Sequence, residues 1–286
     1  MKGLLPYTIN VGGKLMDLSE PQVMGILNVT PDSFYSASRK KSQEEVRERV
    51  GAILAEGGSI IDIGAYSSRP GAENISADEE MTRLRGALQT VRSVAPEAVV
   101  SVDTFRADVA KMCVEEFGVQ IINDISGGEL DSRMFDTVAA LGVPYILMHM
   151  KGNPQTMQQE PHYGDLLVEM LQYFGSKVDK LHDLGVKDII LDPGFGFAKT
   201  LEHNYQLMYR LQDLKVLGLP ILVGVSRKSM IYRLLDGTPE DALNGTTVLN
   251  TLALQKGANI LRVHDVKEAV EVVKIVKKML TCQNLG

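Results

Sequence analysis

Asp103, Asn123, Asp192 and Lys228 form a group whose side chains suit a flat, polar heterocycle. A carboxylate accepts two parallel hydrogen bonds from an amidine-like N–H/NH2 edge, mirroring an arginine–carboxylate fork. The amide of Asn123 can donate and accept on the same edge, and Lys228 can donate to a ring carbonyl or ring nitrogen. Asn28, Arg69, Arg262 and His264 form a second group, with the chemistry of an anion site. His264 can be neutral or charged there, because imidazole titrates near neutral pH. Each residue also has a plainer reading. An Asp, Asn or Thr after a strand often caps a helix, which is the role assigned to Asp124 and Thr104. Met148 reads as core, and His149 alone reads as a structural histidine. Coincidence favours a ligand site: one apolar run after another ends in a polar residue, and a purely structural protein has no need of that ring.

The apolar runs are 23–29, 59–64, 98–102, 119–123, 143–148, 188–192, 220–225 and 259–263. Each is rich in Val and Ile and has the length of a buried parallel strand. Amphipathic stretches lie between them. "SQEEVRERVGAILAEGG" puts Val46, Val50, Ile53 and Leu54 on one face and ends at glycine. Eight such units predict an α/β fold, a (β/α)8 barrel, in which the strand C-termini form the active face. A doubly wound open sheet is the alternative that periodicity leaves open. "YTINVGGKLMDLS" predicts a β-hairpin within 1–20, lying over the N-terminal end of the barrel. No Pro/Gly/Ser-rich linker divides 1–286, so one domain is expected. The loops at 30–43 and 64–77 are long, rich in Ser, Gly and Pro and poor in apolar surface, and are expected to be mobile.

The composition is that of a globular protein, with 44% hydrophobic and 23% charged residues. No apolar run reaches the roughly 18 residues a membrane span needs, and the first residues lack a signal-peptide pattern. The net charge of −6, without a long basic cluster, argues against nucleic acid as a partner. The two cysteines, Cys113 and Cys282, are far apart and read as reduced thiols of a cytoplasmic protein.

The segments "MGILNVTPDSF", "RPGA", "SVDT", "INDISGG", "LMHM", "DPGFGFAKT", "GVSRKSM" and "RVHDV" resemble, in order, the signature segments of the dihydropteroate synthases. The resemblance spans essentially the whole chain. It implies a TIM barrel that joins 7,8-dihydropterin-6-ylmethyl diphosphate to 4-aminobenzoate, giving 7,8-dihydropteroate and diphosphate in folate synthesis. It also implies Mg2+, a homodimer and inhibition by sulfonamides. By position it places Asp103, Asn123, Met148, Asp192 and Lys228 at the pterin, and Asn28, Ser68, Arg69, Arg262 and His264 at the diphosphate. Phe34, Pro70, Phe195, Lys228 and Ser229 fall at the aminobenzoate, and Asn28 at the metal. Thr30 and Asp32 would organise the loop around the Mg2+–diphosphate. Asp103, Asp192, Lys228, Asn28, Arg262 and His264 make up the expected catalytic set. The second loop departs from the family pattern Gly-Gly-Glu-Ser-Thr-Arg-Pro-Gly: it reads "GAYSSRPG", so Ala65, Tyr66 and Ser68 are changed and the carboxylate is gone. A pterin-dependent methyltransferase and a non-catalytic binding barrel are the rival readings. The former has no diphosphate to hold, and the latter rests only on the altered loop.

Overall fold

The alternation of apolar runs and amphipathic stretches produces an eight-stranded parallel sheet with helices between the strands. The computed structural model describes residues 7–29, 39–67, 74–152 and 161–282, without the side chains of 39–42. A two-stranded antiparallel hairpin comes first, β1 (Thr8–Val11) and β2 (Lys14–Asp17). It turns at Gly12 and Gly13, whose φ values of 62° and 87° are those a tight hairpin turn demands and that side chains resist. The barrel strands follow: β3 (Gln22–Asn28), β4 (Ile60–Gly64), β5 (Val99–Asp103), β6 (Ile121–Asp124), β7 (Tyr145–Met148), β8 (Ile189–Asp192), β9 (Leu222–Val223) and β10 (Ile260–Val263). They pair in the order β8-β7-β6-β5-β4-β3-β10-β9. A parallel bridge between Leu191 and Ile221 joins the two edges, so the sheet closes into a ring and the open-sheet alternative falls.

The helices are α1 (Arg39–Ala55), α2 (Ala77–Val94), α3 (Ala107–Phe117), α4 (Met134–Leu141), α5 (Leu166–Asp183), α6 (Leu201–Arg210), the short α7 (Ser229–Tyr232), α8 (Leu243–Gln255) and α9 (Val266–Cys282). Local chemistry starts several of them. Ser76 caps α2 by accepting from the Glu79 N–H, and Asp165 caps α5 by accepting from Leu167 and Val168.

Side-chain alternation along each strand builds the site. One parity (Val23 and Leu27, Ile61 and Ile63, Val100 and Val102, Tyr145 and Leu147, Ile189 and Leu191, Leu261 and Val263) faces outward and forms the main core with the helices. The other parity faces the barrel interior. Its lower layer (Met24, Ile60, Ile121, Ile146, Ile190, Leu222 and Ile260) is closed by Ile9, Val11 and Leu18, so the hairpin plugs the N-terminal end as expected. One step further along the strands, the same parity carries Asp62, Ser101, Asn123, Met148, Asp192 and Arg262. The interior is thus apolar at its base and polar toward its C-terminal mouth.

Two cap assignments need correction. Asp124 caps no helix: it lies outside the ring parity and accepts from Ser126 N–H and Oγ–H, Gly128 N–H and Tyr145 OH, at 2.7–2.8 Å. The Thr104 hydroxyl donates to the buried Glu80 carboxylate at 2.7 Å, and the residue before α3 is Arg106, which makes no side-chain cap. Cys113 is buried and Cys282 exposed, both as free thiols.

Candidate active site

Arg262 organises the barrel mouth. From β10 its Nε donates to Asp62 Oδ2 on β4 at 2.6 Å, and its Nη2 donates to Asp103 Oδ2 on β5 at 2.7 Å. Asp62 is fully buried. Burial opposes the charge of Arg262, but Asp62 and Asp103 outweigh it and hold the guanidinium above its ordinary range. Asn123 Nδ2 donates to the same Asp62 oxygen at 3.2 Å. Asp62 Oδ1, Ser101 Oγ and Asn123 Oδ1 are buried and have no hydrogen-bond partner among the described residues. Orphaned buried oxygens cost about 1–3 kcal/mol each. Three at one depth of a barrel mark where a ligand's N–H groups belong.

The carboxylates here are poised. Burial raises the Asp103 carboxyl to about 7; Arg262 opposes this, while Asp62, Glu80 and Asp124 add to it. Burial also raises Asp192, against Lys228 and the Gly194 N–H. Burial lowers Lys228 to about 8, with Asp192 opposing. The Lys228 Nζ donates to the Phe195 carbonyl and lies 4.8 Å from the centre of the Phe197 ring. An Asp103 carboxyl raised to about 7 near a Lys228 amine lowered to about 8 is typical of a functional cleft.

Lys228 is aimed by its neighbour. Arg227 has φ of 53°, in the left-handed region that non-glycine residues avoid. Its N–H donates to Thr246 Oγ1 at 3.0 Å. Its guanidinium donates to Asp265 through Nε at 2.9 Å and Nη2 at 2.8 Å, and through Nη1 to the Pro239 and Glu240 carbonyls at 3.0 and 3.2 Å. Ser229, half-buried, opens α7 immediately after Lys228.

At the seam between β3 and β10, Asn28 ends β3 and is exposed. His264 follows β10. Burial, then Arg262, lowers its imidazole to about 4, which favours the neutral ring in the ligand-free protein. Its backbone is fixed by the N–H to Ser226 Oγ at 3.1 Å and by Arg49 Nη2 donating to its carbonyl at 2.7 Å.

An apolar wall stands on the β6–β8 side. Met148 packs there with Ile125, Met150 and Ala198, and Phe105 and Phe197 lie against them. This corrects one expected site residue. The Phe195 ring is fully buried in the outer core and only its carbonyl reaches the mouth, whereas Phe197, two residues on, is half-buried beside Lys228. The alternating turn after β8 sends 195 and 197 to opposite sides. Arg262, expected among the anion residues, is paired in the structure with Asp103 of the heterocycle set. Phe34, Ser68, Arg69 and Pro70 lie outside the described residues, as do Thr30 and Asp32.

Asp62, Lys199 and Arg49 went unnoticed in the sequence. Asp62 left a signal, a lone carboxylate between isoleucines in "SIIDIG". Such a residue is expensive to bury and stays only when paired. Tyr66, where the second loop loses its carboxylate, stacks edge-on with Phe105 at 5.0 Å, and the Arg106 guanidinium lies 5.5 Å from its ring centre. Among the described residues no three His, Cys, Asp or Glu side chains cluster as a metal cage.

The chain matches the family of pterin binding enzymes over residues 24–264. It is 41% identical over 275 residues to the dihydropteroate synthase of Escherichia coli (strain K12), covering 95% of this chain and 96% of that protein. It is 42% identical over 274 residues to that of Synechocystis, covering 94% of each. The crystal structure of the Yersinia pestis dihydropteroate synthase with a sulfonamide drug complex superimposes with a TM-score of 0.88 at 39% identity, covering 96% of this chain and 100% of that one. The Thermus thermophilus dihydropteroate synthase in complex with 4-aminobenzoate gives a TM-score of 0.84 at 35% identity, covering 95% and 99%.

Proposed function

The chain belongs to the dihydropteroate synthase family, whose transferase reaction joins 7,8-dihydropterin-6-ylmethyl diphosphate to 4-aminobenzoate in folate synthesis, and from that premise we propose how its residues divide the work. This membership displaces the methyltransferase and non-catalytic readings. Asp103, Asn123 and Asp192 hold the N–H edge of the pterin, Lys228 donates to its ring, and Met148 packs on its face. Asp62 joins them by fixing Arg262 and Asn123. Asn28, Arg262 and His264 meet the diphosphate, together with Ser68 and Arg69. Lys228 and Ser229 flank the aminobenzoate with Phe34 and Pro70, and Phe197 takes the place expected for Phe195. The observation that carries this division is the set of orphaned buried oxygens of Asp62, Ser101 and Asn123 beside the Arg262–Asp103 pair.

The bond from the pterin methylene to diphosphate breaks first, and positive charge spreads into the ring. Fixed carboxylates at Asp103 and Asp192 stabilise that cation in a site of low dielectric constant. Arg262 offsets the departing negative charge, and neutral His264 donates a hydrogen bond to it. The aromatic amine then attacks the methylene to form the C–N bond, and the proton it sheds passes to the released diphosphate. The amine is uncharged at pH 7, so the reaction requires no strong general base. Water must be kept out, because it would capture the same cation.

Mg2+ fits as an ion that arrives with the diphosphate. Such an ion keeps waters and phosphate oxygens as ligands and takes few from protein. The exposed Asn28 can offer one amide oxygen, and the described residues form no dedicated cage. When bound, Mg2+ would neutralise part of the leaving group's charge.

A homodimer is proposed from the outer surface. Val248 and Leu252, one turn apart on α8, and Ile275 and Met279, one turn apart on α9, are all exposed. No helix among the described residues is long and apolar enough to cross a membrane, and a cytoplasmic location accords with the free thiols. Sulfonamides should compete with aminobenzoate.

The deciding assay is diphosphate release that depends on 4-aminobenzoate. Asp192→Asn should weaken pterin binding and slow turnover together. Unchanged values for both would remove Asp192 from its role.

A further inference from the structure

Lys199 is a buried cation that the reaction described above does not use. It is 4% exposed and sits at the end of the glycine-rich segment after β8. Its Nζ lies 3.0 Å from the Gly194 carbonyl, 3.1 Å from the Phe197 carbonyl and 3.1 Å from His149 Nδ1. An ammonium has three N–H groups and no lone pair, so three acceptors use it completely. While Lys199 is an ammonium, the imidazole presents its Nδ1 lone pair and carries its proton on Nε2. Burial, then Lys199, holds His149 far below the ordinary imidazole range, at about 2, in keeping with a neutral ring.

The segment held in this way is otherwise unfavourable. Gly194, Gly196 and Ala198 all have positive φ, at 68°, 80° and 48°. A Cβ on Gly194 would lie 2.1 Å from the His149 carbonyl, so no other residue fits there. The same Gly194 faces Asp192: its N–H donates to Asp192 Oδ1 at 2.8 Å. The His149 N–H donates to the Asp192 carbonyl at 2.9 Å. Lys199 thus grips both units that touch Asp192, and it fixes the carbonyl of Phe197.

We propose that Lys199 is a positioning residue, which through Gly194 and His149 orients the Asp192 carboxylate toward the pterin and sets Phe197 beside Lys228. The charges facing it are Asp192 and Lys228, with the His149 ring and the Tyr163 hydroxyl, which donates to Ala198 O at 2.9 Å, packed around it. Burial of the amine costs stability, as its lowering to about 7 shows, so its retention calls for a return in the ordering of the site.

The proposal rests on the reading that Asp192 holds the pterin, and the experiment separates the two. Lys199→Met, Lys199→Gln and Asp192→Asn are compared with the unsubstituted protein. Calorimetry measures binding of the pterin diphosphate, kinetics give KM and kcat, and nitrogen NMR reports the His149 ring. In the unsubstituted protein at pH 6, where the Lys199 amine is protonated, His149 should carry its proton on Nε2 only. In Lys199→Met the pterin should bind about tenfold more weakly, about one charge-assisted anchor's worth, with KM rising more than kcat falls. The His149 titration should move upward as the adjacent cation disappears. If Asp192→Asn weakens pterin binding while a folded Lys199→Met or Lys199→Gln does not, Lys199 has no positioning role. If neither site affects pterin binding, the reading of Asp192 falls and the proposal with it. Should neither Lys199 variant fold, the unsubstituted protein still decides: a proton on His149 Nδ1 overturns the proposal, and one on Nε2 upholds it.

Discussion

Arg262 and Asp62 are 200 residues apart in sequence and 2.6 Å apart inside the barrel, where the β10 guanidinium reaches past β3 to a carboxylate with no exposure to solvent. Removing one partner of such a pair leaves the other charge buried and underpaired, at a cost of about 3 kcal/mol or more. Asp62→Ala should therefore lower the urea midpoint substantially, and Asp62→Asn should do so less because the amide can still accept. Asp62→Ala should also raise KM for the pterin, since Arg262 and Asn123 lose a shared anchor. An unaltered urea midpoint would show that Asp103 alone suffices for Arg262.

Asp103 sets a pH dependence. Its carboxyl is raised to about 7, chiefly by burial, so in the ligand-free protein it gains a proton as pH falls through neutrality. Only the carboxylate accepts from two pterin N–H groups. Pterin affinity should fall as pH drops from 7.5 toward 5.5, approaching about tenfold per unit. Asp103→Asn should bind more weakly and lose this acid limb. The effect on folding has the opposite sign. A carboxyl raised above its ordinary 3.8 contributes stability that is fully present below that value and lost as pH rises through about 7.

Arg227 separates backbone strain from side-chain bonding. Arg227→Gly removes the bonds to Asp265 but tolerates φ of 53°, whereas Arg227→Ala removes the bonds and keeps the strain. The alanine variant should be less stable than the glycine variant by about 1–2 kcal/mol in chemical denaturation. Both should raise KM for the pterin, because Lys228 loses its aim. Equal stability of the two would mean that the turn relaxes.

Phe195 and Phe197 should part company under substitution. Phe195→Ala empties a fully buried core position and should cost about 3–5 kcal/mol of stability. Phe197→Ala opens the wall beside Lys228 and should act on ligand binding, with a much smaller change in melting temperature. The reverse pattern would restore Phe195 to the pocket.

The barrel was legible in the chain because a buried parallel strand is a local pattern. The eight runs of Val and Ile became β3 to β10 with shifts of a residue or two, and Gly12-Gly13 signalled the hairpin. Asp103, Asn123, Asp192, Lys228, Arg262 and His264 stood out as candidates because strand ends face one rim. Asp124 was read as a helix cap and is instead a turn anchor on the outward parity. Phe195 was misplaced because three positive φ values in 194–198 reverse the side-chain direction, and a turn of that kind has no periodicity to read.

The sequence by itself determined the ring of strands, the polar rim and the residue types that suit a flat polar heterocycle and an anion. Those follow from alternation and side-chain chemistry, which each segment carries within itself. Only the tertiary structure decided that Arg262 is shared between Asp62 and Asp103, that burial and Arg262 push His264 toward its neutral form and that Lys199 sits buried against His149. Such pairings and charge states depend on distances and on burial between segments tens to hundreds of residues apart, and these quantities exist only once the barrel has closed.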